Sequence, residues 1–239
     1  MDWEEGMEEP KKKSRLVGKI LLRIVLPLLL AIVIGFCVFV WVALSADDAI
    51  YTNTDTISDA IGSLQPRVVI LDSVDVKTQP TATTCGITAV AVMSNYFNHT
   101  GYEAADLMER CSAGDVPDWL QGELADRTIV FHANGSNDAM IRDIHASLCD
   151  DKPVLIYFGA PNPYNVPYYD FHGSVVYGMD LDSETILIAN VYGYCEEIAL
   201  VDFLNQMAFA ETRKYPFIQR FVLKCTKSMD ENMYYLVVD

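Results

Sequence analysis

Residues 172–193 read HGSVVYGMDLDSETILIANVYG. Two apolar runs rich in β-branched residues, HGSVVYGMD (172–180) and TILIANVYG (185–193), flank the polar turn DLDSE (180–184). That pattern predicts a β-hairpin. Upstream, PVLIYFG (153–159) is an apolar run of strand length, and the loop that follows it (161–170) is rich in Pro, Asn and Tyr. Nearer the N-terminus the period changes. In CGITAVAVMSNYF (85–97), Ile87, Val90, Ala91, Ser94 and Phe97 fall at i, i+3, i+4, i+7 and i+10, one face of a helix. Thr83 or Thr84 can cap its start, and Asn98 to Gly101 ends it. Further helices are expected over 102–111, 138–149 and 201–209. Strands are expected over 67–73 and as a final pair near 217–224 and 233–238. Helices first and an antiparallel sheet afterwards define an α+β domain.

The chain has 239 residues, enough for one such domain with an anchor and a linker. Ile24 to Ala46 is a run of 23 residues without charge, long enough as a helix to cross a hydrocarbon core of ~30 Å. Lys11, Lys12, Lys13, Arg15, Lys19 and Arg23 precede it, and Asp47 and Asp48 follow. The positive-inside rule then puts residues 1–23, a basic tail, in the cytoplasm, and the rest of the chain outside a single-pass span. A signal peptide has a shorter apolar region ending in small residues of A-x-A type, whereas Leu44 stands third from Ala46. The run reads as an uncleaved anchor. Residues 47–66 are polar and read as a stalk with a short helix over 57–64, leaving 67–239 as the domain.

Residues 1–46 hold 6 basic and 5 acidic groups, which leaves 11 basic and 28 acidic groups on the remainder. A net charge of −17 there repels phosphate backbones, so nucleic-acid binding is not expected. Five cysteines, Cys85, Cys111, Cys149, Cys195 and Cys225, lie beyond the span. Four can pair in three connectivities, leaving one free thiol. No C-x-x-C pair or Cys/His cluster at zinc-finger spacing occurs, so neither a structural metal nor a cofactor is expected.

Cys85 opens the amphipathic helix, where backbone N–H groups and the dipole favour a thiolate. Gly86 lets backbone or substrate approach closely, and Gln79, six residues upstream, offers an amide donor for an oxyanion. A thiol nucleophile needs a base and an orienting group. His99 reads as a loop residue, and His132 and His145 as structural or surface residues. His172 opens a strand after a loop, where its ring can be aimed and held. Asn190, at the end of the neighbouring strand, can fix its tautomer.

Gln79, Cys85-Gly86 with the helix after it, His172 and Asn190 resemble, in order and type, the papain-like cysteine peptidases. The phrases KPVLIYF, HGSVVYGMD and NVYG followed by EEIALVDFLNQM are similar to cysteine peptidase family 39, the bacteriocin-processing type, over residues 67–225. The resemblance implies a papain-like fold and hydrolysis of peptide bonds through a thioester. It also implies Cys85 as nucleophile, His172 as base, Asn190 as orienter and Gln79 in the oxyanion hole. Thr84 stands where many relatives carry Asp, and Asn190-Val191 where many have Asp-Pro. Leader-processing relatives are fused to an exporter and face the cytoplasm, so the expected substrate is instead a peptide or protein at the cell surface. A transglutaminase-like acyltransferase and a non-catalytic peptide-binding module are the alternatives.

Overall fold

The computed structural model describes residues 21–44, 54–111, 114–164, 168–209, 214–225 and 233–239. The chain divides into two compact units, Met1–Ala46 and Asp47–Asp239. In the first, a π-helical turn (Leu21–Val25) leads into helix α1 (Leu26–Leu44). Leu22–Val42 is long and apolar enough to cross a membrane, with a mean hydropathy of 2.9. Apart from Arg23 the stretch is uncharged, and Leu22, Ile24, Phe36 and Trp41 are all exposed. The basic tail expected N-terminal to it falls, up to residue 20, outside the described residues.

The second unit is a mixed domain built on an antiparallel sheet. In chain order it runs α2 (Thr54–Ser63), β1 (Val68–Ile70), α3 (Cys85–Asn98), α4 (Ala104–Leu107), α5 (Val116–Glu123), β2 (Ile129–His132) and α6 (Asn137–Cys149). Then follow β3 (Val154–Pro161), β4 (Tyr169–Asp180), β5 (Thr185–Asn190), β6 (Tyr194–Ala199), α7 (Leu200–Met207), α8 (Phe217–Cys225) and β7 (Tyr234–Val238). The strand order is β2-β7-β3-β4-β5-β6, with β1 on β4 beyond the end of β3. Helices cover both faces. Met140, Ile144 and Leu148 of α6 and Phe203 and Met207 of α7 pack with Ile156, Val176 and Ile188 on one face. Val90 and Met93 of α3 and Leu120 of α5 pack with Leu155, Val175, Ala189 and Leu236 on the other. Burial on both faces explains why β3 reads as an unbroken apolar run rather than an alternating one.

Several expectations change in the folded chain. The segment over 217–224 is helix α8, not a strand. Pro216 directly precedes Phe217 and its carbonyl accepts from Arg220 N–H at 3.0 Å, a first turn that proline favours by its preset φ. The helix expected over 102–111 contracts to α4 and a turn, closed by a reciprocal Glu103–Asp106 capping box. Helix α5 and strand β6 have no counterpart among the expected elements. The supposed stalk supplies α2, whose Ile61 is buried in the core, with residues 45–53 outside the described set. Cys111, Cys149 and Cys195 are free thiols on three separate parts of the fold, so no disulfide links them. Cys149 sits instead against the His145 ring, Sγ to Nδ1 3.6 Å. The Cys225 side chain lies outside the described residues.

Candidate active site

Cys85 is the first residue of α3. The helix begins there because Thr84 turns back: its hydroxyl donates to Thr81 O at 3.0 Å, and its backbone N–H bonds the same carbonyl. Thr84 is the N-cap, yet its side chain serves this preceding turn and not the helix N–H groups. Gly86 follows because nothing larger fits. A Cβ there would meet the Tyr157 hydroxyl at 2.5 Å and Val116 Cγ2 at 2.7 Å. Gly173 on β4 closes the same seam, where a Cβ would lie 3.5 Å from the Gly86 Cα. The two glycines let α3 approach the sheet closely.

His172 stands on β4 directly across from Phe158 of β3. It is 1 % exposed, and the Tyr192 ring stacks on it with centroids 4.0 Å apart and planes 12° from parallel. Nε2 of His172 lies 3.0 Å from Oδ1 of Asn190. A β-bulge makes this contact possible. Pairing between β4 and β5 slips by one residue between Val176 and Gly178, leaving Tyr177 extra. Beyond the slip Val175 faces Ala189, so Asn190 shares the sheet face of Ser174 and His172. In the register before the slip, Asn190 would oppose Val175 and point to the other face.

The orientation of the Asn190 amide is set from two sides. Its Nδ2 donates to Glu196 Oε2 at 2.6 Å, and its Oδ1 accepts from the Tyr192 backbone N–H at 3.0 Å. An acceptor oxygen therefore faces the imidazole, and Nε2 of His172 carries the proton. The neutral ring is left with its lone pair on Nδ1, as a base requires.

Burial pushes the Cys85 thiol above its ordinary value. The N–H groups of Gly173, Gly86 and Cys85 itself oppose that shift without reversing it, and the Asp170 carboxylate adds to it. The helix start therefore does not yield the resting thiolate expected from position alone; desolvation is the larger effect. Burial also lowers His172 to about 4, against the Asn190 hydrogen bond and the Asp170 charge, both of which raise it. Near pH 7 the resting pair is a thiol and a neutral imidazole. Cys85 Sγ and the ring are not hydrogen-bonded to each other; the sulfur meets the Gly173 N–H, one residue past His172.

Gln79 is fastened to the strand end that carries Asn190. Its N–H donates to Val191 O at 2.7 Å, and Thr78 bridges to Tyr192. Gly193 permits the close approach, having a φ of +100° and no Cβ to strike Thr78 Oγ1. The Gln79 side chain is buried, and its Oε1 has no partner among the described residues. Asp170, Tyr192 and Glu196 are site residues that the sequence did not single out. Asp170 is held by Asn162 Nδ2 and by Gln219 Nε2 at 2.8 Å. Tyr192 and Glu196 fall within phrases quoted for the family resemblance, but neither they nor Asp170 carries a role there; each matters through where the hairpin and α8 bring it. His132 and His145 lie elsewhere, His145 with Nε2 2.8 Å from Pro66 O and His132 stacked on Tyr235.

These features define an α+β domain with a cysteine at a helix start and a buried histidine–asparagine pair on a neighbouring hairpin. Neither a family profile nor a curated protein sequence matches the chain. Among solved structures it is similar to a candidate C39-like peptidase from Bacillus anthracis. The identity is 14 %, the TM-score is 0.45, and the match covers 72 % of this chain and 97 % of that one.

Proposed function

We propose that this protein is a membrane-anchored, extracytoplasmic cysteine peptidase that hydrolyses peptide or amide bonds. The observation that carries the proposal is the His172–Asn190 contact, with the amide held from both sides so that Nδ1 is the free base. Cys85 is the nucleophile. As its sulfur attacks the substrate carbonyl, the thiol proton passes to His172 Nδ1, and the amine leaves with that proton. Water then attacks the thioester, giving its proton to His172; the acid departs and the thiol is restored. Gln79 and the N–H of Cys85 are the donors assigned to the oxyanion. Because both groups rest neutral, proton transfer accompanies sulfur attack. The Asn190 oxygen stabilises the imidazolium as it forms. The apolar span with its basic flank anchors the domain, and the substrate is a peptide or protein at the cell surface.

The test is covalent capture. The full chain in non-ionic detergent is treated with a peptidyl epoxide, and adducts are mapped by mass spectrometry. The expected result is an adduct on Cys85 that falls by about 100-fold or more in His172→Ala, the scale of a general base. No adduct on Cys85, or one indifferent to His172, would sink the proposal.

A further inference from the structure

Helix α8 lies on the surface of the domain, and from Phe217 to Val222 none of its residues is buried. Phe217, Ile218, Phe221 and Val222 fall at i, i+1, i+4 and i+5, an apolar arc of about 140° at 3.6 residues per turn. Ile218 is 68 % exposed and Val222 49 %. Arg220 stands beyond one edge of the arc and Gln219 beyond the other. A surface helix ordinarily turns its apolar stripe inward. Here the stripe is turned to solvent.

Charge is concentrated around the same helix. Arg213, Lys214, Arg220, Lys224 and Lys227 fall within residues 213–227, a stretch that holds no acidic group. They are five of the 11 basic groups beyond residue 46, against 28 acidic groups over the same range. Lys214 is half-buried, its ammonium 3.2 Å from the Tyr169 hydroxyl. An anionic surface repels so acidic a domain as a whole, so only a local basic patch can meet one. Screening beyond about 8 Å at physiological ionic strength lets that patch act by itself.

Nucleic acid would satisfy the cations but offers nothing to Ile218 and Val222. An anionic bilayer satisfies both at one depth: phosphates meet the basic groups while acyl chains take the apolar arc. In the anchored chain proposed above, residues 45–53 are all that separate the apolar helix from α2, so a lipid surface is a partner always at hand.

We infer that α8 is an interfacial helix by which the domain docks on an anionic phospholipid surface, a second membrane contact besides the apolar span. The inference rests on the anchored reading and not on the peptidase chemistry. Helix α8 is also tied to the candidate site. Gln219 Nε2 donates to Asp170 Oδ1 at 2.8 Å, and the Asp170 charge acts on both Cys85 and His172. A docked α8 therefore holds the candidate site close to the bilayer.

The test is hydrogen exchange, read by mass spectrometry, on the full chain in nanodiscs of phosphatidylcholine alone or mixed with phosphatidylglycerol. Amides of α8 are expected to exchange about tenfold more slowly on the mixed bilayer, while those of α5 exchange alike on both. Salt at about 1 M, where screening reaches ~3 Å, is expected to remove most of the difference. Ile218→Ser, and Lys224→Gln combined with Lys227→Gln, are each expected to do the same. Amides of β4 report whether a variant keeps its core; if one does not, the unaltered chain on the two bilayers decides.

Equal exchange of α8 on both bilayers overturns the docking alone. Failure of the chain to stay with discs of either composition overturns anchor and docking together. Protection that grows with the number of chains per disc and ignores phosphatidylglycerol assigns the face to a second copy and overturns the lipid assignment. If the Cys85 epoxide adduct fails to form while lipid-dependent protection stands, the peptidase proposal falls and the docking helix remains.

Discussion

Acidification from pH 7 to pH 4 is the perturbation that most directly tests the buried neutral imidazole. His172 is 1 % exposed and titrates at about 4 in the folded chain, against 6.5 for an unburied histidine. Throughout that window the unfolded chain binds more protons at this position than the folded one, so stability rises with pH. The contribution is fully present above pH 6.5 and is lost as the pH falls through 4. Its size is about 3 kcal/mol, a large part of the ~5–15 kcal/mol that holds an ordinary domain together. Carboxylates also titrate on the way down, so the comparison must be differential. Urea unfolding of the full chain and of His172→Gln, at 25 °C in non-ionic detergent, isolates the imidazole. The unaltered chain should lose about 3 kcal/mol more than the variant between pH 7 and pH 4, with equal urea slopes. Parallel losses in the two proteins would refute the claim that this ring is buried neutral. A loss smaller in the unaltered chain would mean that it is buried charged.

Three further outcomes follow from the same geometry. Gly86→Ala should destabilise the domain by about 1–3 kcal/mol through overpacking. Tyr157→Phe in that background should recover part of the loss in a urea titration, because it removes the hydroxyl that a Cβ would meet at 2.5 Å. Glu196→Gln should lower kcat for peptide hydrolysis by about fivefold, the difference between a charge-assisted and a neutral hydrogen bond of ~1 kcal/mol. An unchanged kcat would remove Glu196 from the positioning of Asn190. Iodoacetamide alkylation of Cys85, followed by mass spectrometry across pH, should keep accelerating past pH 9, because burial raises its thiol above the ordinary value of 9.0. A plateau reached below pH 7 would show a preformed thiolate–imidazolium pair instead.

Much of the site was legible because its signals are local. Cys85 announces itself by opening a helix whose apolar residues recur at helical spacing, and the polar turn between two β-branched runs marks the hairpin that carries His172 and Asn190. Strand β6 is not legible in the sequence because it is mostly exposed and the residue types of YCEEIA do not alternate, although their burial does, so Glu196 is not singled out. Helix α8 was mistaken for a strand because FIQRFVLKC is short and apolar enough for either, and the preceding Pro216 decides between them. The cysteine count suggested disulfides, but spacing along a chain says nothing of which thiols meet.

The amino-acid sequence by itself determined the apolar span, the acidic domain and the α+β order, since each follows from composition or from periods of 3.6 and 2, and it offered the four residues of the candidate site through their order along the chain. Only the tertiary structure decided that His172 and Asn190 share a face, because one extra residue at Tyr177 reverses the parity of every later pair on the strand. It alone decided the resting charge as well. A helix start favours a thiolate, but the packing that encloses Cys85 removes the water that would stabilise the charge, and desolvation outweighs the N–H groups.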